Sequence, residues 1–350
     1  MRLGIVVNDI HTEWPGYTTT HLAMVATAMG HCVHYIDVGD FVLRRDDRMY
    51  AAARPVPPRS HRSDKVFLRE LQDPRAVVEQ ICIDELDVML LRNNPNDDAF
   101  TRPWARAAGI DFGLLAVQAG VIVLNDPAAL ARSLTKLYMH SFPEEVQPDT
   151  LVTRHRDEVK AFIADHGGRA VFKPLFGYGG RNVFLVRPSD GPNLNQMFET
   201  VAREGYVVVQ EYLPAASRGD TRLFLMNGEP LRARGHVAAV ARTRDPGDQD
   251  MRSNISAGGI TEAAAVDDVM LGLAAAVRPR LVEDGIFLAG LDIVGDKIME
   301  INIMTPGALR HAELIEGVSF SREIITAIER KVEIARDAPG RHTNVELATL

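Results

Sequence analysis

The opening stretch limits the fold more than any other part of the chain. Residues 3–8, Leu-Gly-Ile-Val-Val-Asn, form a short apolar run with polar residues at its end, the pattern of a buried strand. Threonines at 18–20 then start a helix that runs to Met29, with Gly30 just past its end. A second strand spans 33–38. Strand, helix and strand in so short a span make a βαβ unit, which requires a parallel sheet with helical crossovers. Residues 86–91 and 121–124 continue the pattern. The first strand is not followed by G-x-G-x-x-G, so a dinucleotide role for this unit has little support.

With 350 residues there is room for two or three domains, and 46% hydrophobic with 25% charged residues is ordinary soluble-protein composition. A formal charge of −8 leaves no global basic footprint, so no nucleic-acid partner is expected. An anionic substrate would have to meet a local cluster of cations. Cys32 and Cys82 are too few and too far apart for a disulfide framework, which suits a reduced, cytoplasmic chain. The first apolar run is too short for a signal peptide, and no stretch reaches the roughly 20 apolar residues of a membrane span. No membrane partner is expected.

Residues 44–74 are rich in Arg, Asp, Pro and Ser and read as a surface excursion. Asp126-Pro127 starts a helix expected to run to about His140 and to carry Lys136. Pro143 and Pro148 mark a linker. Beyond it come a helix near 156–164, strands at 170–173 and 182–186, a helix at 194–204 and a strand at 206–210. A long polar loop at 242–259, a helix near 266–283 and a hairpin over 287–302 follow. The tail from 336 to 350 reads as flexible.

Four constellations carry chemistry. In the first, residues 171–181, Lys173 ends a strand just before the glycine-rich turn Gly177, Tyr178, Gly179, Gly180. Glycines let backbone N–H groups approach phosphate oxygens, although a tight hairpin beside a surface lysine has the same sequence. The second is an apolar strand that emerges into Gln210, Glu211, Tyr212 and Leu213, either an adenine hinge or a plain strand exit. The third is 291–302, where Asp292, Glu300 and Asn302 interrupt apolar strands. Hard oxygen donors of this kind suit Mg²⁺ shared with nucleotide phosphates. Glu300 and Asn302 share a strand face; Asp292 joins them only if it lies opposite Glu300. A two-residue turn at Gly295-Asp296 would pair Asp292 with Met299, so metal binding predicts a connection of odd length. The fourth is the polar loop with Arg242, Arg244, Arg252, Asn254 and Gly258-Gly259, either a lid that brings arginines to an oxyanion or a surface loop.

In this order the segments resemble the ATP-grasp superfamily and, within it, the bacterial glutathione synthetases. The resemblance spans about residues 1–330 and rests on an ordered set of segments. These include Lys-Pro-Leu-Phe-Gly-Tyr-Gly-Gly at 173–180, Gln-Glu-Tyr-Leu-Pro at 210–214, Gly-Asp-Thr-Arg at 219–222 and Asn-Ile-Ser-Ala-Gly-Gly at 254–259. It implies an α/β ATP-grasp fold, with a parallel-sheet domain over 1–125 and an ATP-grasp domain over 126–335. Two α+β subdomains, about 150–210 and 211–335, would sandwich ATP.

Carried over by position, Lys136 and Lys173 contact the phosphates, Gln210 to Leu213 form the adenine hinge and Asp220 lies near the ribose. Arg222 and either Arg242 or Arg244 stabilise the transferred phosphate, while Asp292, Glu300 and Asn302 hold two Mg²⁺ ions, for which Mn²⁺ is a substitute. Arg92, Asn254, Gly258 and Gly259 fall to the substrates. The implied reaction makes an amide from a carboxylate and an amine through an acyl phosphate, as in joining γ-glutamylcysteine to glycine, and the family also implies a homo-oligomer. The acceptor-facing segments depart from the pattern. Arg92-Asn93-Asn94-Pro95 lacks the family's Lys-Asp pair, Trp14 to Thr18 lacks its lysine, and Met304-Thr305-Pro306 replaces its Ser-Pro form. A ligase joining another acid and amine, or a phosphotransferase that stops at the phosphorylated acid, is the alternative.

Overall fold

Strand β1 (Arg2–Val7) buries both of its faces, and that explains its unbroken apolar run. Leu3, Ile5 and Val7 point into one core with Leu22 and Ala26 of α1 (Thr18–Ala28), whereas Val6 points into another with Ile110 and Ala116 of α4 (Ala105–Gln118). The computed structural model describes residues 1–99, 101–177, 180–243 and 260–350. Its first sheet runs in the order β4-β3-β2-β1-β5-β6, formed by β2 (Cys32–Leu43), β3 (Met49–Pro55), β4 (Glu79–Cys82), β5 (Val88–Leu91) and β6 (Ile122–Leu124). β2, β1, β5 and β6 are mutually parallel, as a βαβ unit requires, and β3 and β4 extend one edge antiparallel.

That edge corrects the expectation of a surface excursion over 44–74. The stretch supplies β3, with Ala51 and Ala53 buried, and α2 (Asp64–Leu71), with Phe67, Leu68 and Leu71 buried. Small alternating residues and an N-cap at Ser63 outweigh the polar composition. Arg54 and Arg59 are bonded to Leu71 O and Glu70.

The second sheet, β7-β10-β8-β9, contains β7 (Thr150–Thr153), β8 (Ala170–Pro174), β9 (Phe184–Val186) and β10 (Val207–Glu211). With α6 (Arg156–Asp165) and α7 (Leu194–Ala202) it encloses a small core of its own. The third sheet is built on β11 (Asp220–Met226), which has a short partner β12 (Glu229–Pro230) and lies beside a minor hairpin of β13 (Arg232–Ala233) and β14 (His236–Val237). Its main order is β16-β15-β11-β17-β18, with β15 (Ala239–Thr243), β16 (Ile260–Ala263), β17 (Leu288–Val294) and β18 (Lys297–Asn302). Leu223, Leu291 and Ile298 share one continuous core with the first sheet and with α8 (Asp268–Glu283). Asn125, just after β6, reinforces this joint. Its side chain donates to Leu288 O and Ile303 O at 2.9 and 2.6 Å and accepts from Leu288 N at 2.8 Å.

Two further expectations change. The helix expected over 126–140 stops at Arg132 as α5 (Pro127–Arg132), and a separate 3₁₀ turn spans Lys136–Ser141. The Ser133 hydroxyl donates back to Leu130 O and Thr135 caps Leu137 N, so local side-chain bonds replace the helical ladder. The tail expected to be flexible is ordered. After α9 (Leu309–Glu316) and α10 (Phe320–Asp337), α11 (Asn344–Thr349) carries a capping box at Thr343 and buries Leu347 and Ala348. Asn344 bonds both the N–H and the carbonyl of Val123 and reaches Asp126. Removing residues 342–350 should therefore cost about 2–4 kcal/mol, from one buried leucine and several hydrogen bonds. Urea unfolding checks this; an unchanged midpoint would contradict the packing role.

Candidate active site

The second and third sheets face each other across a cleft that opens to solvent. Strand alternation determines what reaches it. On β8, Val171 and Lys173 face the cleft while Phe172 enters the sheet's own core. On β10, Val208 and Gln210 do the same while Val207 and Val209 turn inward. Thr150 and Val152 of β7 extend this apolar wall, against which a flat heteroaromatic ring can lie. Glu211, expected with the hinge, points its carboxylate elsewhere and accepts from Asp149 N at 2.8 Å. Tyr212, Leu213 and Gly219 line the exit of the strand. A Cβ on Gly219, at φ 99°, would meet Arg242 O at 2.0 Å, so only glycine lets β11 begin this close to β15.

Two lysines converge on the cleft. Lys136 donates its main-chain N–H to Leu175 O at 3.2 Å and its ammonium to Gly177 O at 2.7 Å. The helix break before it makes both bonds available. Lys173 donates to Gln210 Oε1 at 2.5 Å, and Gln210 in turn donates to Thr150 at 3.2 Å. Burial pushes the Lys173 ammonium down to about 8; Glu300 opposes this and Lys136 adds to it. Burial lowers Lys136 as well, again against Glu300.

A polyanion entering the cleft favours protonated Lys173, so ATP binding near pH 8 should take up as much as about half a proton. Affinity should fall as pH rises further, because more of the lysine must first be protonated. Calorimetry in buffers of different ionisation enthalpy measures the uptake. No uptake at pH 8 would place Lys173 away from the phosphates.

On the facing sheet, Asp292 lies opposite Glu300 as metal binding requires, but by another route than the expected odd-length turn. The turn has only two residues, with Val294 paired to Lys297 and Ile293 to Ile298; a β-bulge then absorbs Met299 and brings Asp292 opposite Glu300. Both Met299 and Glu300 consequently line the cleft, which two successive residues of a regular strand cannot do.

Asp292 is buried and bound from several sides. Arg222 grips both of its oxygens at 2.7 Å, Arg242 reaches it at 2.8 Å, and the Asn302 amide donates to it at 3.1 Å. Burial alone would raise its pKa, but the two guanidiniums outweigh burial and hold the carboxyl far below the usual range. Arg242 also pairs with Asp220, so that acid is engaged by an arginine within the cleft wall. Glu300 accepts no hydrogen bond from any described residue and faces the two lysines across the cleft.

Among the described residues no cluster of three or more His, Cys, Asp or Glu side chains forms a metal cage. Two carboxylates in the cleft wall, with the Asn302 amide beside Asp292, do fit Mg²⁺, a hard ion that takes few protein ligands and fills its shell from phosphate and water.

The expected residues thus separate into groups. Lys136, Lys173, Gly177, Gly180, Gln210, Tyr212, Leu213, Asp220, Arg242, Asp292 and Glu300 line one cleft, with Arg222 and Asn302 bonded to Asp292 behind it. Arg92 lies apart, buried at the end of β5 against Thr19 and Pro306 O. Tyr178, Gly179, Arg244, Asn254, Gly258 and Gly259 lie outside the described residues. Sequence reasoning missed Met139, His140, Val171 and Val208. Period-two counting from Lys173 and Gln210 would have found the valines; the residues of the 3₁₀ turn carry no such signal.

A wide cleft between two α+β layers, with lysines on one wall and carboxylates and arginines on the other, defines the ATP-grasp class of nucleotide-dependent enzymes. Solved structures support this fold. The ATP-grasp ligase PsnB complexed with minimal precursor, Mg and ADP superposes with a TM-score of 0.58 at 16% identity, covering 95% of this chain and 98% of that one. The D-cycloserine synthetase DcsG gives 0.59 at 14%, covering 94% and 99%. The profile for the prokaryotic glutathione synthetase ATP-grasp domain matches residues 135–317, and that for the N-terminal domain of the same family matches 1–131. The glutathione synthetase of Vibrio parahaemolyticus is 31% identical over 95% of this chain and 99% of its own length. That of Gloeobacter violaceus is 32% identical over 98% and 100%. The chain belongs to the prokaryotic glutathione synthetase family and is a ligase that forms C–N bonds, with the family's use of ATP and a divalent metal.

Proposed function

We propose that this ligase joins the glycine-side carboxyl of γ-glutamylcysteine, its cysteine carboxylate, to the amine of glycine. The observation that carries the reading is the charge arrangement of the cleft. Asp292 is fixed by two arginines, and Glu300 is left facing two lysines across the cleft.

In this reading the adenine lies on the Val171–Val208 wall beside the main chain of Gln210 to Leu213, and Asp220 lies near the ribose. Lys136 and Lys173 neutralise the phosphates. Asp292, Glu300 and Asn302 would hold two Mg²⁺ ions, which when bound would neutralise phosphate charge. A carboxylate oxygen of the acid attacks the γ-phosphorus, and ADP leaves with the bridging oxygen. The amine then attacks the acyl carbon, loses a proton, and expels phosphate that carries the former carboxylate oxygen. Arg222 and Arg242 flank the place where charge gathers in both steps. No nucleophilic side chain is required, because the work is positioning and charge neutralisation.

The acid and amine fit best at the carboxyl ends of β1 and β5, where strand order reverses on either side of β1. Arg92 is buried there with Glu13, whose carboxyl burial pushes up to about 7 against the pull of Arg92. Together they offer a cation and a proton-accepting group to a zwitterionic amino-acid end. No helix among the described residues is long and apolar enough to cross a membrane. The same reading gives a cytoplasmic homo-oligomer with small-molecule partners and no nucleic acid.

Mass spectrometry of reactions with ATP, γ-glutamylcysteine and glycine, followed by a panel of other acids and amines, tests the assignment. Glutathione and ADP in equal amounts are expected. Another amide would move the substrate assignment to that pair. A phosphorylated acid with no amide from any pair would contradict ligation itself.

A further inference from the structure

Helix α4 of the first sheet leans unusually closely on the end of β5. A Cβ on Gly109 would lie 2.4 Å from Asn93 Oδ1, so any larger residue here would have to displace the Asn93 side chain. One turn earlier on the same helix, Arg106 leaves the first sheet and places its guanidinium 4.2 Å from the ring centroid of Phe176. Its buried Nε has no hydrogen-bond partner among the described residues, which leaves the aromatic face as the contact that explains its placement.

Phe176 occupies a sensitive position. The residue before it, Leu175, accepts the main-chain N–H of Lys136, and the residue after it, Gly177, accepts the Lys136 ammonium. Whatever fixes Phe176 therefore fixes both acceptors that hold this lysine in the cleft.

We infer that Arg106 is a positioning residue for nucleotide binding. Through Phe176 it braces the 175–177 turn and sets where Lys136 stands. The first sheet, which carries the acid and amine crevice, thereby acts on this wall of the nucleotide cleft through the stacked pair. This rests on the proposed nucleotide role of the cleft. It adds a residue that neither lines the cleft nor belongs to any motif of the glycine-rich turn.

The test is the dissociation constant for Mg-ATP, measured by calorimetry on the enzyme without acid or amine. Arg106→Ala should weaken binding about three- to tenfold, within the roughly two- to thirtyfold that a cation–π contact spans. Arg106→Lys should recover much of the loss, since an ammonium also stacks on a ring. Phe176→Ala should match Arg106→Ala, and the double variant should be no weaker than either single one. KM for acid and amine should stay within about twofold, and thermal midpoints should stay close to wild type.

Unchanged ATP affinity in both single variants, or strictly additive losses, would overturn the inference. So would Arg106→Lys binding as weakly as Arg106→Ala. If Arg106→Ala does not fold, Phe176→Ala and Arg106→Lys still decide the matter. Failure of the wild-type protein to bind Mg-ATP would overturn the nucleotide reading as well, and is thereby distinct from failure of the brace alone.

Discussion

Glu300→Gln is expected to lower kcat by about a thousandfold or more while leaving the unfolding midpoint nearly unchanged. The substitution keeps the volume of the side chain and removes one negative charge. Folding should tolerate it because Glu300 lies at the cleft, accepts no hydrogen bond from a described residue, and faces two cations only at a distance. Catalysis should not tolerate it, because an amide is a much poorer ligand for a hard divalent cation than a carboxylate. Steady-state kinetics with urea unfolding on the same preparation checks both halves. A wild-type rate would remove Glu300 from the metal set. A large loss of stability would show that the carboxylate is structural.

Asp292→Ala should fail differently, losing activity and about 3–5 kcal/mol of stability together. Its carboxylate is the buried counterion of Arg222 and one of two for Arg242. Without it the largely buried Arg222 guanidinium stays beside Gly290 with Gly307 O, at 3.3 Å, as its one remaining acceptor among the described residues. Adding Arg222→Met should return part of the stability, since an apolar side chain of similar length avoids the stranded charge, but none of the activity. The urea midpoint and turnover of the single and double variants measure this. Equal effects of Glu300→Gln and Asp292→Ala on stability would contradict the different burial roles assigned to the two acids.

That difference between two acids of one hairpin also shows how far the sequence could be read. The βαβ opening was legible because both faces of β1 are buried and leave an unbroken apolar run. Lys173 was legible because it sits where a strand signal stops, whereas Lys136, expected inside a helix, came only from the family resemblance. The requirement that Asp292 face Glu300 was legible too, from strand periodicity and the cost of burying carboxylates.

The device that meets the requirement was not. A bulge at Met299 depends on how Ile298 and Ile301 pack beneath it, and no residue type announces that. Residues 44–74 misled because composition outweighed the alternating Ala51 and Ala53. The tail misled because Pro, Gly and polar residues conceal a capping box that only tertiary contacts make worthwhile. The Arg106–Phe176 stack joins residues 70 apart in sequence. Such a pair is a property of packing.

The proposed reaction activates a carboxylate by phosphoryl transfer and then captures it with an amine. Carrying a heavy oxygen isotope in the acid's reacting carboxylate and analysing the released phosphate by mass spectrometry tests it directly. The account predicts one labelled oxygen in each phosphate formed and one lost from the acid as it becomes the amide. Phosphate without label, or label retained in a stable phosphorylated acid, would contradict it.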